Sequence, residues 1–319
     1  MTNFTSLLRR TAAAALMLAT VHSAIAQSFP ARTISIVTTL PPGSTVDVLA
    51  RVFGQQLSQR LNESVVIESK AGAGLMLGMQ AVAAAAADGH TLAFTPVTPL
   101  TIQTHRVKNA GYALDSFVPL CQTFENIFFL AVSPKSDIKD AAALIARLKR
   151  EPGKFSYGHS GSGSAPHLMA EEFWRALGLQ AGDVPYRGET AFFPDLTSGT
   201  LEGGMVTTAG LQQHGFKPLV VFGTARSKVF PDVPTVAELG AQVTPSGYGG
   251  VFVRRGTAPE VVTRLEGLCR DIVNSPAYQQ RAESLQQNAT YLDRTAFAQR
   301  LQNDHASKGR LLPNLKIVD

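Results

Sequence analysis

Serine and histidine side chains, which can carry nucleophilic or hydrogen-bonding chemistry, are concentrated in the sequence HSGSGSAPH at residues 159–167. A serine hydrolase needs a histidine base within reach of its nucleophile and a third group that orients the base. The hydrolase pattern G-x-S-x-G is absent, because the fifth position counted from Gly158 is Ser162. Hydrolysis with Ser160 as the nucleophile is therefore the lesser alternative. Two compatible interpretations remain for this Gly/Ser loop, His159–Ser164: its serines cap the next helix and shape the loop, and its hydroxyl and amide groups donate to a bound carboxylate.

A second polar loop, Pro41–Asp47, has the pattern of a helix start. Ser44 and Asp47 match the capping box [ST]-x-x-[DE]. The first turn of a helix has unpaired N–H groups and roughly half a positive charge, and so attracts anions. We predict that Asp47 caps and orients this loop, while the backbone N–H groups of Gly43 to Val46 bind the ligand.

Alternating strands and helices must position both loops. The β-branched run at 34–37 predicts a buried strand before the first loop, and 155–157 predicts one before the Gly/Ser loop. Short connections between such units predict parallel sheets, whose ligands lie beyond the carboxyl ends of the strands. The sequence therefore predicts an α/β fold with two domains, residues 28–125 plus 250–319 and residues 126–249.

Charge and motif spacing argue against several classes of function. The formal net charge is +5, to which Arg9 and Arg10 contribute, and no Lys/Arg stripe is interleaved with aromatic residues. We therefore predict no nucleic-acid binding. The phosphate-binding patterns G-x-x-x-x-G-K-[ST] and G-x-G-x-x-G are both absent. His159 and His167 are too isolated in the sequence to predict a metal site. The prediction is a protein with no metal, no cofactor and no catalytic residue.

The N-terminus has the pattern of an export signal. A basic pair at Arg9-Arg10, an apolar stretch at 11–20 and a small-residue cleavage site at 24–26 predict a cleaved secretory signal peptide over residues 1–26. The alternative is an uncleaved anchor. In an oxidising compartment Cys121 and Cys269 are able to pair, but each lies in an apolar pattern of its own. Two separate buried thiols are the favoured interpretation.

Several segments, taken in order, resemble one family. They are FPARTISIVTTLPPGSTVDVLAR, VVIESKAGAGLMLG, ADGHTLAFTP, PGKFSYGHSGSGSAPHLMAEEF, VPYRGETAFFPDL and FPDVPTVAELG. This series resembles the periplasmic substrate-binding proteins of tripartite tricarboxylate transporters, the TctC or Bug family. The resemblance implies a two-domain, type II periplasmic-binding-protein fold (Venus flytrap) with the ligand cleft between the domains. It also implies a periplasmic solute receptor that captures a small carboxylate, such as a di- or tricarboxylate, an amino acid or an aromatic acid.

The resemblance also implies a set of ligand-binding residues. They come from the first loop, the loop after the third strand, the Gly/Ser loop and a later threonine: Pro42, Gly43, Ser44, Thr45, Asp47, Thr95, Thr98, Ser160, Gly161, Gly163, Ser164 and Thr207. The chain departs from the family pattern at Ser44 and at Glu189, where the family usually has glycine. We expect Glu189 to pair with Arg187 at the rim of the cleft rather than to contact the ligand.

The implied partners are the small organic carboxylate and the membrane subunits of a tripartite transporter, with the receptor acting as a monomer. A second hypothesis is a ligand-sensing accessory protein for a membrane sensor kinase. The sequence does not separate delivery from sensing, because both use the same ligand-binding fold.

Overall fold

The computed structural model describes residues 29–186, 188–285 and 287–315, so the predicted signal peptide at 1–26 lies outside the described residues. Within these ranges the framework consists of two five-stranded sheets. The first sheet contains β1 (Ile34–Thr38), β2 (Val65–Ser69), β3 (Thr91–Pro96), β4 (Phe117–Glu125) and β10 (Tyr248–Arg254), in the order β2-β1-β3-β10-β4. The second contains β5 (Phe128–Val132), β6 (Ser156–His159), β7 (Gly182–Pro185), β8 (Gly203–Thr207) and β9 (Lys217–Phe222), in the order β7-β6-β8-β5-β9.

Helices follow most of the strands. Those described are α1 (Thr45–Leu61), α2 (Met76–Ala84), α3 (Thr98–Thr101), α4 (Gln103–Arg106), α5 (Ala141–Arg150), α6 (Ala165–Ala176), α7 (Phe193–Ser198), α8 (Thr208–His214), α9 (Pro259–Val273), α10 (Pro276–Ser284) and α11 (Arg294–Leu311). None of the helices in the described ranges combines the length and apolarity needed to cross a membrane.

The predicted parallel pairing is confirmed where the loops of interest begin. Strand β1 is parallel to β2 and β3, and β6 is parallel to β7 and β8. The loops that follow these strands therefore gather at the carboxyl edge of each sheet. Strands β5 and β10 are antiparallel to their neighbours. They are the first strands of the chain after each passage between the sheets.

The apolar residues that the sequence pattern assigns to the core are buried. Ile34 and Ile36 of β1 are completely buried, as are Leu49 and Phe173 on the inner faces of α1 and α6. Removal of such apolar surface from water is the main force that holds the helices against the sheets. Close backbone approach explains the glycines of β10, because a Cβ at Gly249 would overlap the ring of Phe124.

The prediction of two separate thiols was wrong, because Cys121 and Cys269 form a disulfide. Cys121 lies on β4 and Cys269 on α9, which packs against that strand with a Cα–Cα distance of 6.3 Å between the two residues. The half-cystines are 148 residues apart in the chain. The apolar patterns around each cysteine are local, so they could not predict a contact between residues so far apart in the chain.

A buried charged cluster connects helix α6 with helix α11 and with the segment that precedes β10. The Nζ atom of Lys308 lies 2.9 Å from Glu172 Oε1 and 3.5 Å from Asp304 Oδ1. Ser246 Oγ donates to Asp304 Oδ1 at 2.7 Å, and the N–H of Thr244 donates to Glu172 Oε2 at 3.2 Å. Both Lys308 and Asp304 are completely buried. These hydrogen bonds satisfy charges that would otherwise destabilise the interior.

Candidate ligand-binding site

Asp47 orients the first loop, as predicted. Its buried carboxylate accepts the N–H of Gly43 at 2.9 Å and two guanidinium N–H groups of Arg51 at 2.9 and 3.0 Å. Ser44 is the N-cap of α1, and its Oγ accepts the N–H of Asp47 at 3.3 Å. The local pattern thus folds into the cap that it predicts.

The same contacts correct the predicted set of N–H donors. The N–H of Gly43 is donated to Asp47, and that of Ser44 to the carbonyl of Pro41 at 3.2 Å. Among the described residues, only the N–H groups of Thr45 and Val46 keep no protein acceptor at this end of α1. Anion binding at the first loop therefore depends on two donors rather than four. Pro42, the remaining predicted residue of this loop, is exposed beside them.

Two histidines, His159 and His167, support the Gly/Ser loop. The prediction that they are isolated was wrong. The rings of His159 and His167 stack with centroids 4.2 Å apart and planes 8° apart. Their Nε2 atoms lie 3.3 and 3.8 Å from Asp183 Oδ2, which reaches them from β7. His167 Nδ1 accepts the N–H of Gly163 at 2.9 Å, and His159 Nδ1 lies 3.3 Å from the N of Gly161.

These contacts also occupy loop donors that were predicted to bind the ligand. The N–H of Gly163 donates to His167 Nδ1, while His159 Nδ1 lies 3.0 Å from the carbonyl oxygen of Gly161 and 3.3 Å from its N. Both glycines have positive φ, +120° and +73°, a region that disfavours other residues. The loop conformation is therefore fixed by glycine and histidine together. Ligand contact at these two glycines stays a prediction, and at Gly163 it requires the N–H to leave His167.

The cluster of His159, His167 and Asp183 has the residue types of a metal site. Its geometry favours hydrogen bonding instead. His167 Nδ1 accepts the Gly163 N–H, which places the ring proton of a neutral imidazole on Nε2, facing Asp183. The two rings also lie in nearly parallel, stacked planes, so the lone pairs in these planes do not converge on one ion. We interpret the cluster as support for the Gly/Ser loop.

Burial keeps these imidazoles neutral. Burial, the neighbouring His159 ring and the Arg106 guanidinium together lower the pKa of His167 to about 4, against an opposing effect of Asp183. Burial also lowers the pKa of His159, although Asp183 raises it. Both rings are therefore uncharged at neutral pH and able to accept backbone N–H groups.

Acid is expected to destabilise the protein through His167. Because the unfolded ring takes up a proton below pH ~6.5 and the folded ring only near pH 4, stability contributed by the neutral ring is present above that range and lost as pH falls through it. The expected loss in the free energy of unfolding is about 3 kcal/mol.

The variant His167→Asn tests this expectation, because it retains an acceptor for the Gly163 N–H but does not titrate. Urea unfolding at pH ~7 and ~4.5 should show a smaller acid loss in this variant than in the native protein. Equal losses would contradict the assignment, and the exposed His214→Asn is the matched control.

The other predicted serines of the Gly/Ser loop remain candidates for ligand contact. Ser164 is the N-cap of α6, but its Oγ makes no capping hydrogen bond and is buried without a partner in the described structure. Ser160 is partly exposed, and among the described residues no hydrogen bond joins it to a histidine. The arrangement of a nucleophile with its base is therefore not present at Ser160.

The polar groups of the predicted residues Thr95 and Thr207 form hydrogen bonds within the protein. Thr95 is completely buried, with its Oγ1 2.7 Å from Thr39 Oγ1 and 2.9 Å from the carbonyl of Pro96. The N–H and Oγ1 of Thr207 both donate to Glu189 Oε1, at 2.7 and 2.9 Å. Both donors of Thr207 are thus occupied in this structure, and ligand binding at Thr207 stays a prediction. Burial raises the pKa of Glu189, and its predicted partner Arg187 lies outside the described residues.

Two polar residues that sequence reasoning missed lie on α4. A Cβ placed on Gly74 would be 2.6 Å from Gln103 Nε2, and one on Gly163 would be 2.7 Å from a guanidinium nitrogen of Arg106. Just before them, Ile102 packs in one apolar cluster with Leu168 of α6. The segment that begins at the predicted residue Thr98 therefore reaches from the first sheet to the Gly/Ser loop. The polar sequence QTHR at 103–106, after β3, was the available signal.

Comparison with known proteins agrees with this architecture. The family model described as tripartite tricarboxylate transporter family receptor, TctC, matches residues 49–317. The chain belongs to this family. It is 31% identical over 259 residues to Protein BugT of Bordetella pertussis, a match that covers 79% of each chain. It is also 31% identical over 298 residues to a UPF0065 protein of Cupriavidus necator, covering 90% of this chain and 89% of the relative.

Solved structures of periplasmic binding proteins with the same fold confirm the predicted fold class. A TctC solute binding protein from Polaromonas superposes with a TM-score of 0.84 at 23% identity, covering 90% of this chain and 100% of that one. Rpa4515 of R. palustris with adipate gives a TM-score of 0.71 at 24% identity, covering 91% and 99% of the two chains. MatC of Rhodopseudomonas palustris with bound malate gives 0.68 at 23% identity, covering 89% and 100%. The TctC chain described here thus has the two-domain periplasmic-binding-protein fold.

Proposed function

We propose that this TctC chain is a periplasmic receptor that binds a small carboxylate between its two sheets and delivers it to the membrane subunits of a tripartite transporter. The observation that carries the proposal is the meeting of the two carboxyl edges: Arg106, beyond β3, lies against Gly163, beyond β6. Ligands of open parallel sheets bind at such edges. Related structures with adipate and with malate support a carboxylate as the ligand class.

The proposed domains follow the sheets. The first comprises residues 28–125 plus 250–319 and contains β1 to β4, while the second comprises 126–249 and contains β5 to β9. Strand β10 pairs within the first sheet and begins at Tyr248, two residues before the proposed boundary at 250. The chain passes between them near residue 126 and returns before β10. Closure of these domains around the ligand is a hinge motion, with the two crossing segments as the hinges.

The proposed site uses the ends of two helices. The N–H groups of Thr45 and Val46 at α1, and Ser164 with the first turn of α6, offer donors to an anion. Because no nucleophile is paired with a base at Ser160, we propose binding without catalysis. The export signal at 1–26 and a monomeric state belong to the same proposal.

A thermal-shift screen tests the proposed function. The mature chain, without residues 1–26, would be heated with malate, adipate, tricarboxylates, acidic amino acids and aromatic acids, each paired with its neutral amide. A ligand at ~100 times its Kd adds about 2.7 kcal/mol to the free energy of unfolding. That corresponds to a melting shift of about 5 °C. We expect at least one acid to give this shift and its amide to give none. The absence of a shift with every acid would refute the carboxylate receptor.

Delivery and sensing differ in the membrane partner. A pull-down from membranes with the liganded chain is expected to recover transporter subunits. Recovery of a sensor kinase instead would favour the alternative function without changing the ligand-binding proposal.

A further inference from the structure

The Glu189 side chain reaches across the carboxyl edge of the second sheet. Glu189 begins a short 3₁₀ turn, Glu189–Phe192, in the segment that follows β7. Its carboxylate lies at the end of β8, where Oε1 accepts the N–H of Thr207 at 2.7 Å and the Oγ1 hydroxyl at 2.9 Å. Because β6 lies between β7 and β8 in the sheet, this segment passes the end of β6, where the Gly/Ser loop begins.

Packing of the Phe192 ring fixes the position of this turn. A Cβ at Gly158 of β6 would lie 3.0 Å from Phe192 Cγ, and one at Gly204 of β8 would lie 2.7 Å from Phe192 Cε2. The ring is completely buried and lies across both strands, in the space that the two glycines leave open. Since Glu189 is three residues earlier in the same turn, its backbone is held at the edge of these strands.

The protein has a defined place for the Glu189 carboxylate. A Cβ at Gly210 of α8 would lie 2.7 Å from Glu189 Oε1, so this glycine makes room for the oxygen. Thr207 Oγ1 accepts the N–H of Gly210 at 3.3 Å, which leaves its own proton for Glu189. Burial raises the pKa of Glu189, and the two hydrogen bonds from Thr207 oppose the rise. Within the described ranges no cation forms an ion pair with this carboxylate.

The carboxylate is also close to the proposed position of the ligand. Neighbouring strands are about 5 Å apart, and β8 pairs directly with β6, which leads into the Gly/Ser loop. Glu189 is partly exposed, so a molecule bound at this edge comes within reach of its charge. Two negative charges at such a separation repel each other, whereas an N–H group forms a strong hydrogen bond to a carboxylate.

Resting on the proposed function, we propose that Glu189 selects the end of the ligand that lies away from the bound carboxylate. A ligand whose acid group is held at the Gly/Ser loop extends its other end along the edge towards β8. A second carboxylate in that position is repelled by Glu189. An amide or ammonium group in the same position donates a hydrogen bond to Glu189. The ligand class is therefore an acid with one carboxylate and with an N–H donor at its other end.

Calorimetric titration with pairs of acids that differ by one charge tests this proposal. Succinate, adipate and terephthalate are each compared with the half-amide of the same skeleton. For the pair that binds most tightly, the native chain is expected to bind the half-amide about 10-fold more tightly than the diacid. Glu189→Gln removes the charge but keeps an acceptor for Thr207, and it is expected to abolish this preference. The matched control is Glu283→Gln, an exposed glutamate on α10, which should keep the native preference.

The outcomes separate this proposal from the proposed function. If the native chain binds a diacid as tightly as its half-amide, or if folded Glu189→Gln keeps the native preference, the role of Glu189 is refuted while the receptor function stands. Binding of other acids from the screen without binding of any half-amide refutes the ligand class in the same way. If the native chain binds no acid at all, both proposals are refuted.

Melting temperatures without ligand show which variants fold. If Glu189→Gln does not fold, Glu189→Ala takes its place, because it also removes the charge. A folded Glu189→Ala chain with the native preference for the half-amide would refute the role of Glu189, and loss of the preference would support it.

Discussion

Replacement of both Cys121 and Cys269 by alanine is expected to lower the free energy of unfolding by about 5 kcal/mol. The disulfide closes a loop of 148 residues between β4 and α9. In the chain-entropy description, a cross-link stabilises the folded protein by restricting the unfolded chain, and the effect increases with loop length. The half-cystines are also completely buried, so their removal adds a packing cost.

Urea unfolding of the native protein and the double variant measures this loss. The native protein in a thiol reductant is expected to approach the stability of the double variant, while the reductant should leave the variant unchanged. A loss below about 1 kcal/mol, or free thiols titrated in the unfolded, unreduced native protein, would contradict the disulfide assignment.

Lys308→Met is expected to destabilise the protein by about 3 to 5 kcal/mol. The substitution retains most of the aliphatic length of the side chain but removes the Nζ that lies between Glu172 and Asp304. The two carboxylates then remain buried without their cation, which is the costly way to disrupt a buried ion pair. Asp304 is fully buried and, among the described residues, keeps only hydroxyl donors, from Ser246 at 2.7 Å and Tyr248 at 3.4 Å.

The matched control for Lys308 is Lys149→Met, which removes an exposed lysine on α5. That variant is expected to change the free energy of unfolding by less than about 0.5 kcal/mol. Equal stabilities of the two variants in urea would show that the charged cluster contributes nothing. Because Glu172 lies on α6, which begins at the Gly/Ser loop, the same cluster also holds the helix that carries the candidate site.

Local features of this chain were predictable from sequence because neighbouring residues determine them. The apolar run at Ile34 and Ile36 forms β1, and Ser44 caps α1 with Asp47 turned back to Gly43. Both patterns act within a few residues, where propensity and capping decide the structure. The order of such units, together with the family resemblance, was enough for the fold class.

Contacts between distant segments were not predictable in this way. Asp183 reaches His159 and His167 from a neighbouring strand, and Glu189 reaches Thr207 across the edge of the second sheet. Those contacts decide which donors of a polar loop stay accessible to a ligand. A list of polar loop residues therefore included groups that the protein itself occupies, and omitted Arg106, which the fold brings to Gly163.

The crystal structure of the chain with the acid that stabilises it most tests the central claim most directly. We expect one acid molecule between the two sheets, with carboxylate oxygens within hydrogen-bond distance of the N–H groups of Thr45 or Val46 and of Ser164 Oγ. An acid bound away from both carboxyl edges, for example in the outer pocket lined by Lys135 and Phe193, would contradict the account.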